Sequence, residues 1–451
     1  MARGFQEVAE VAHGRNPQGR GVRCGHGLLR ARGALRLDTR AVGGRALRNG
    51  RGRGGRARRR DARGRPRQRE ARPAQEAFGG RRGCVRRLRA RRQRRARGED
   101  SKGSRRARKG CGVHGAQYAR RARDGIFHAV VAQDMGKMKP VISLSTSYLQ
   151  RRFGDDGYAM LCDAAELGYE YVEIGHSTPV SAVGGILKAV SEGVVKVSST
   201  HNFCPIPPYT TGPSPDLYSP STPSARESSQ WIRHTGNSLE FGAAAGSKAL
   251  VCHAGSLSYF FFRPGAKVEE FLEKKEYAGL AENEAYQKAL KNFLGSAARR
   301  SKRDYANMVA NFAAVSESAR EKGIFLCIEN REHVADIPLE SNFCELMRAF
   351  AEVPQVRAWH DVGHSMIKQL SGFCTQMEFA ESIAGYQAGW HLHDCTENGR
   401  DHVAIGSGAI DFRALSRFFD PQKHIFTLEL NSAVDRQDAA DSLKRVQDLM
   451  P

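Results

Sequence analysis

The stretch WHLHDCTENGRDH, from Trp390 to His402, holds three histidines, two aspartates and one glutamate within thirteen residues. Imidazole nitrogens and carboxylate oxygens are the ligands that divalent metal ions use in proteins, and both groups also carry protons in acid–base catalysis. A polar loop that is merely rich in histidine is the plain alternative. The elements that hold these residues, and the groups that lie beside them, decide between the two.

Similar groups recur elsewhere near the ends of short apolar runs. A single histidine or carboxylate at the end of a strand is usually a hydrogen-bonded structural residue, so each of them alone indicates little. As a series they are more informative, because they follow one apolar run after another. The series consists of His176, His201, His253, Glu329, Asp361 with His364, His391 with His393, and Glu429.

The apolar runs themselves alternate with stretches of helical periodicity from Met138 onward, which predicts parallel strands joined by right-handed crossovers. Eight such units in about 310 residues fit a (β/α)8 TIM barrel with insertions. A doubly wound open sheet is the alternative, but no G-x-G-x-x-G follows the first run, and the GSG at Gly406 lacks a preceding strand and a third glycine. The eight candidate strands begin at Val141, Tyr171, Val194, Lys248, Ile324, Val356, Gly389 and His424.

A closed barrel would bring all of these strand ends to one mouth. Side chains alternate along a strand, so Ile328 and Glu329 should face opposite ways, with the apolar one toward the helices and the polar one toward the interior. The same holds for Leu428 and Glu429. Buried carboxylates at this density would repel one another without a cation, so the sequence favours a divalent metal ion at the barrel mouth.

The charge of the chain separates two segments of different composition. The net charge of the whole chain is +23, but residues 1–137 carry 40 Lys+Arg against 10 Asp+Glu, whereas residues 138–451 carry 31 against 38. The first segment, rich in Arg and Gly, has no sustained apolar period, and we expect it to be disordered. The barrel domain, predicted over residues 138–451, is net acidic and is not expected to bind nucleic acid.

Three interpretations of residues 1–137 stay open. RGRGGR at Arg51 could contact nucleic-acid phosphates, although only four aromatic residues accompany the segment. An organellar targeting peptide should also be rich in serine, yet only Ser101 and Ser104 occur. In the third interpretation the segment is a translated upstream region outside the native protein, which would then start at Met135 or Met138.

Two insertions interrupt the barrel pattern at about residues 204–226, which are rich in proline, and 257–300, where one or two helices are expected. Both follow strands and could form lids or substrate walls at the mouth. The sequence contains no stretch of about 18 consecutive apolar residues, so no membrane span is predicted. The ten cysteines are dispersed without C-x-x-C pairs, so a reduced, cytoplasmic location is expected.

The motifs CIEN, HDVGHS, WHLHD with IGSGAIDF, and TLEL, taken in this order, resemble the strand-end motifs of the xylose isomerase-like TIM-barrel superfamily. That superfamily includes sugar and sugar-phosphate isomerases and epimerases and the endonuclease IV family. The resemblance covers most of residues 138–451 and none of the basic segment.

The resemblance implies a divalent-metal-dependent isomerase or epimerase with a small carbohydrate substrate. Glu329, Asp361, His391 and Glu429 would hold one ion, most suitably Mn²⁺ or Mg²⁺, with Co²⁺ or Zn²⁺ as alternatives. Glu329 and Glu429 would also exchange a proton beside a carbonyl, through an enediolate that the metal stabilises. Residues implied to contact substrate are His253, His364, His201, Arg400 and His402.

Other functions within the same superfamily also stay open. An endonuclease IV-like DNA repair enzyme would bind three zinc ions through nine ligands, and eight of their positions are occupied here by suitable residues. At the ninth position Arg400 replaces an aspartate, and its charge would oppose a third ion. A dehydration of a carbohydrate and a carbohydrate-binding barrel without turnover are further alternatives, and the chain could form a homo-oligomer.

Overall fold

The computed structural model describes residues 139–210, 212–259 and 263–451. Its sheet is a closed barrel of eight parallel strands in sequence order, in which β8 pairs with β1. The predicted (β/α)8 barrel is therefore confirmed, with a strand in each of the eight predicted runs. The strands are β1 Val141–Ser145, β2 Tyr171–Ile174, β3 Lys196–His201, β4 Ala249–Cys252, β5 Phe325–Glu329, β6 Val356–Asp361, β7 Gln387–Leu392 and β8 Ile425–Leu428.

Helices surround this barrel and cover the outward-facing apolar side chains of the strands. Leu144, Val172 and Leu428 are fully buried in one apolar cluster with the helices, and Ile328 is buried in a second. The helices are α1 Ser147–Phe153, α2 Gly157–Glu166, α3 Val183–Ser191, α4 Ala225–Ala245, α5 Ala266–Leu272, α6 Glu284–Arg300, α7 Lys302–Glu321, α8 Glu340–Ala349, α9 Val362–Leu370, α10 Gln376–Ile383, α11 Phe412–Leu415 and α12 Arg436–Asp448.

The barrel interior has an apolar floor beneath its polar mouth. Trp359 and Cys327 are fully buried there beside Val251, and the Trp359 ring lies edge-on to His391 with centroids 5.3 Å apart. Gly389 makes room for this indole, because a Cβ at that position would collide with the six-membered ring of Trp359. The floor closes the interior from below, so the polar groups above it are reached from the mouth.

Both insertions lie after strands at the mouth side, as the sequence predicts. Residues 204–226 contain no helix or strand among those described until α4 begins at Ala225, whereas α5 and α6 occupy most of residues 257–300. α7 anchors the proline-rich loop, since Asn311 Nδ2 donates to the Pro220 carbonyl (2.7 Å) and Asn307 Nδ2 donates to that of Thr222 (2.9 Å). The loop is therefore held to the scaffold at its second half.

The predictions for residues 1–137 fall outside the described residues. Within the ranges that are described, no helix combines the length and the apolar character needed to cross a membrane.

Candidate metal centre

Four side chains from successive strands meet at the barrel mouth. Glu329 and Asp361 end β5 and β6, His391 lies near the end of β7, and Glu429 directly follows β8. One ligand atom from each of the four lies within 4.8 Å of the others, and all four residues are buried. The structure thus brings together the four residues that the sequence predicts as metal ligands, although 100 residues separate the first from the last.

The carboxylates of this cluster surround one nitrogen of His391. Its Nδ1 lies 3.1 Å from Glu329 Oε1, 3.1 Å from Glu429 Oε2 and 3.7 Å from Asp361 Oδ2. Burial alone would lower the pKa of His391, but the surrounding carboxylates reverse this and hold it well above its usual value. Positive charge at this point, whether a proton or a metal ion, offsets the repulsion among the carboxylates.

Asp361 is held in place through both of its carboxylate oxygens. Oδ1 accepts the backbone N–H of His364 (2.7 Å) as the N-cap of α9, and Oδ2 accepts His393 Nε2–H (3.0 Å). The proton of His393 lies on Nε2 because its Nδ1 accepts the backbone N–H of His402 (2.8 Å). Gly363 leaves space for this ring, since a Cβ there would collide with it. His393 therefore orients Asp361 from beside the cluster, as the sequence suggests.

A second cluster shares Glu329 with the first. His201 Nε2 and His253 Nε2 lie 3.3 Å and 3.2 Å from Glu329 Oε2, and the three residues could together hold a metal ion. His253 Nδ1 also contacts the carboxylate of Asp216, at 2.8 Å. Two predicted substrate-contacting histidines thus lie against one of the predicted catalytic glutamates.

A third cluster consists of His364, Asp401 and His402. His402 Nε2 lies 3.8 Å from Asp401 Oδ2, and its ring lies 5.8 Å from that of His364. Arg400 is exposed, and its backbone N–H donates to the hydroxyl of Thr396 (3.1 Å). The sequence-based prediction that the Arg400 side chain lies beside these histidines is wrong. The neighbouring Asp401 faces them instead, so the third cluster contains a carboxylate and not a cation.

Three histidines of the second and third clusters share one arrangement of their ring nitrogens. His201 Nδ1 and His364 Nδ1 lie 3.0 Å from the carbonyls of Asn202 and Asn330, and His402 Nδ1 lies 2.8 Å from that of Glu429. A carbonyl oxygen only accepts, so each Nδ1 carries the proton. The other nitrogen of each ring then presents a lone pair toward a carboxylate. Lone pairs that face anions fit a bound cation, and this donor set therefore suits metal ions.

Comparison with protein families agrees with this geometry. Residues 161–449 match the model of the xylose isomerase-like TIM barrel family. The chain belongs to this family. No curated protein matches the chain.

Solved structures similar to this xylose isomerase-like chain include three sugar epimerases. They are the apo form of 3-keto-D-glucoside 4-epimerase from E. coli (16% identity, 69% of this chain and 100% of that chain, TM-score 0.48), D-psicose 3-epimerase with D-tagatose from Clostridium cellulolyticum H10 (12%, 69% and 99%, 0.49), and D-allulose 3-epimerase from Methylomonas sp. (11%, 69% and 98%, 0.48).

Two charged groups at the mouth of this xylose isomerase-like barrel, the buried Glu173 and the half-buried Arg331, are absent from the sequence-based predictions. Glu173 in β2 contacts the second nitrogen of His391, and Val172 and Ile174 on either side of it could have indicated that it faces inward. Arg331 lies 3.1 Å from Glu332 and 4.0 Å from Glu329. Arg331 lies in the loop after β5, where no alternation of polar and apolar residues could indicate the direction of its side chain.

Asp394 accounts for the glycines in the motif IGSGAIDF. Its carboxylate accepts the backbone N–H groups of Gly406 (2.8 Å), Gly408 (2.9 Å) and Ile410 (3.2 Å). A Cβ on Gly408 would collide with this carboxylate. The glycine-rich turn therefore binds an anion that belongs to the chain itself, which agrees with the prediction that it does not bind a dinucleotide.

Proposed function

We propose that the protein is a divalent-metal-dependent isomerase or epimerase that acts on a sugar, a sugar phosphate or a related polyhydroxy carbonyl compound. The observation that carries this proposal is the set of three buried carboxylates around His391 Nδ1, two of which are glutamates able to exchange protons. A cation held by Glu329, Asp361, His391 and Glu429 would polarise a substrate carbonyl and acidify the adjacent C–H.

The oxygen content of this four-residue set supports Mn²⁺ or Mg²⁺ as the ion, with Co²⁺ or Zn²⁺ as alternatives. Three of its four members are carboxylates, and hard divalent ions prefer oxygen ligands. The second cluster has two imidazoles and one carboxylate, which is a softer set. We therefore assign the catalytic ion to the four-residue set.

Glu329 and Glu429 are the proposed acid–base pair. Burial raises the pKa of both carboxyls, but His391 and the other nearby histidines outweigh it, so the pKa of Glu329 falls well below its usual value and that of Glu429 falls to about 2. Both are therefore ionised at neutral pH, and either can remove a proton from substrate. His201 and His253 beside Glu329, and His364 and His402 in the third cluster, are placed to contact substrate hydroxyls.

The acidic character of the mouth favours a small, uncharged or weakly charged substrate over DNA. The one guanidinium described beside the cluster, that of Arg331, lies within 4.0 Å of Glu329, Glu332 and Asp336 and is already neutralised. Asp216 adds a further carboxylate from the loop. A phosphodiester backbone would meet net negative charge here.

Proton exchange with solvent tests the proposal. The Mn²⁺-loaded protein should incorporate deuterium from D₂O beside the carbonyl of a ketohexose or ketopentose from a small panel, as followed by NMR. Glu329→Gln and Glu429→Gln should each abolish exchange, because general acid–base groups contribute about 10²- to 10⁴-fold. Binding of panel sugars without exchange would contradict catalysis and would indicate the carbohydrate-binding alternative.

A metal-dependent phosphodiesterase is the second candidate, and the two flanking clusters favour it. In these clusters Nε2 of His201 and of His402 faces a carboxylate, and the two clusters would allow two further ions. Cleavage of a duplex that contains an abasic site by the Zn²⁺-loaded protein, with no proton exchange on sugars, would support this candidate and contradict the isomerase.

A further inference from the structure

Glu173 lies on the opposite side of the His391 ring from the three carboxylates of the four-residue set. It is fully buried in the middle of β2, and both of its carboxylate oxygens lie 3.2 Å from His391 Nε2. Ser199 Oγ, on β3, donates to Glu173 Oε2 at 2.8 Å. Ser199, Glu173 and His391 are thus connected by hydrogen bonds across the barrel interior.

A buried carboxylate in this position needs hydrogen-bond donors, because burying a charge without partners is costly. The donors that the structure gives it are the hydroxyl of Ser199 and Nε2–H of His391. Once Nε2 holds the proton, Nδ1 of the neutral ring has the lone pair. That nitrogen is the one that Glu329 and Glu429 face at 3.1 Å.

We propose that Glu173 is a positioning residue that fixes the tautomer and orientation of His391 for metal binding. This inference rests on the proposed metal-dependent function. A carboxylate on the far nitrogen of a metal-binding imidazole holds the ring and makes it a more basic ligand, and losing such a partner costs about 10- to 100-fold in metal affinity. Ser199 holds the Glu173 carboxylate in the rotamer that reaches His391.

The test measures binding of Mn²⁺ alone to the metal-free full-length protein by calorimetry. Glu173→Gln keeps the shape of the side chain and removes its charge, and it should weaken Mn²⁺ binding about 10-fold or more. Ser199→Ala leaves the charge in place and should weaken binding less. Glu340→Gln is the matched control, because Glu340 is another buried carboxylate whose partner is Lys368 (Nζ at 3.6 Å), and it should leave the affinity unchanged.

The visible absorption of the Co²⁺-loaded protein gives a second readout that a purely structural role would not change. The ligand-field bands should shift in Glu173→Gln and stay the same in Glu340→Gln. Wild-type affinity and spectrum in a folded Glu173→Gln variant, checked by circular dichroism, would overturn the inference while the proposed function stands. A wild-type protein that binds no Mn²⁺ or Co²⁺ would overturn both.

Discussion

Asp216 and His253 connect the proline-rich loop to the barrel mouth through a 2.8 Å contact between a carboxylate oxygen and Nδ1. The Asp216 side chain is 56% exposed, whereas that of His253 is 3% exposed. Nε2 of the same ring lies 3.2 Å from Glu329. The loop therefore acts on the site through one imidazole, and its second half is tied to α7.

Replacing Asp216 should separate the loop from the site without removing a metal ligand. Asp216→Asn loses a charge-assisted contact that solvent partly screens, because the Asp216 side chain is half exposed, so kcat/KM on the turned-over sugar should fall about 2- to 5-fold, while Mn²⁺ affinity stays unchanged. Steady-state kinetics and calorimetry measure the two quantities. Asp155→Asn, on another exposed loop, is the control. An Asp216→Asn variant with wild-type kinetics would show that the contact does not serve the reaction.

Asp361→Asn should remove metal binding while the fold survives. The Asn oxygen can still accept the His364 N–H at the start of α9, so the cap remains, but the charge beside His391 is lost. We expect Mn²⁺ affinity to fall by more than about 100-fold, since outer partners alone are worth about 10- to 100-fold. The rise in melting temperature on adding Mn²⁺ should then disappear. Full metal content and activity in this variant would remove the central assignment.

The number of metal ions per chain separates the functional candidates. One Mn²⁺ or Mg²⁺ supports the isomerase, whereas three zinc ions would contradict it, and elemental analysis of the protein isolated without chelators measures this. Asp401→Asn refines the result, because this residue belongs to the third cluster only. It should leave a single-ion protein unchanged and should remove one ion from a three-ion protein.

Protonation of His424 should lower the stability of the protein in mild acid. Its Nδ1 accepts the indole N–H of Trp390 (3.2 Å) and the backbone N–H of Asp420 (3.1 Å), so the ring is needed in its neutral form. Burial lowers the pKa of His424 to about 4, against a partial opposing effect of Asp420. The folded pKa lies below the unfolded one, so this stability is present above about pH 6.5 and is lost as the pH falls toward 4.

Urea unfolding at several pH values tests this prediction for His424. His424→Asn can accept similar hydrogen bonds but does not titrate, so its stability should fall less between pH 7 and pH 4. We expect a difference on the order of 2 kcal/mol between the two proteins over this range. Parallel stability curves would contradict it.

Residues 138–451 are proposed to form a domain that needs no part of the basic segment. A variant limited to these residues should keep the circular dichroism spectrum, the Mn²⁺ affinity and the oligomeric state of the full chain, since the strands and the three clusters all lie within it. Loss of metal binding in the shortened variant would contradict the proposed boundary.

The barrel and the meeting of polar strand ends at its mouth were predictable from local patterns, whereas the choice of the four ligands came from the resemblance of the motifs. Buried parallel strands are short apolar runs, and the polar residues that close them must meet once the sheet is closed. Glu329, Asp361 and Glu429 each end or directly follow such a run, so the sequence marked their place. Glu173 lies inside its run between Val172 and Ile174, which indicates an inward-facing side chain but not its partner, and only the closed interior brings it to His391.

The loops were less predictable, because contacts between residues far apart in the chain shape them. Asp216 reaches His253 across 37 residues, and Asn311 binds the Pro220 carbonyl across 91. No periodic pattern records such pairings. The predicted role of Arg400 depended on matching one loop residue to one position, and an offset of a single residue placed Asp401 there instead.

The last strand, β8, completes both the closed sheet and the central cluster. β8 pairs with both β7 and β1, and Glu429 directly follows it, with its N–H donating to the Leu392 carbonyl (3.2 Å). Before that strand inserts, the set lacks one carboxylate and the sheet has two open edges. The proposed four-residue set is therefore complete only when β8 is paired on both sides, so a metal ion bound by all four residues would report a closed barrel.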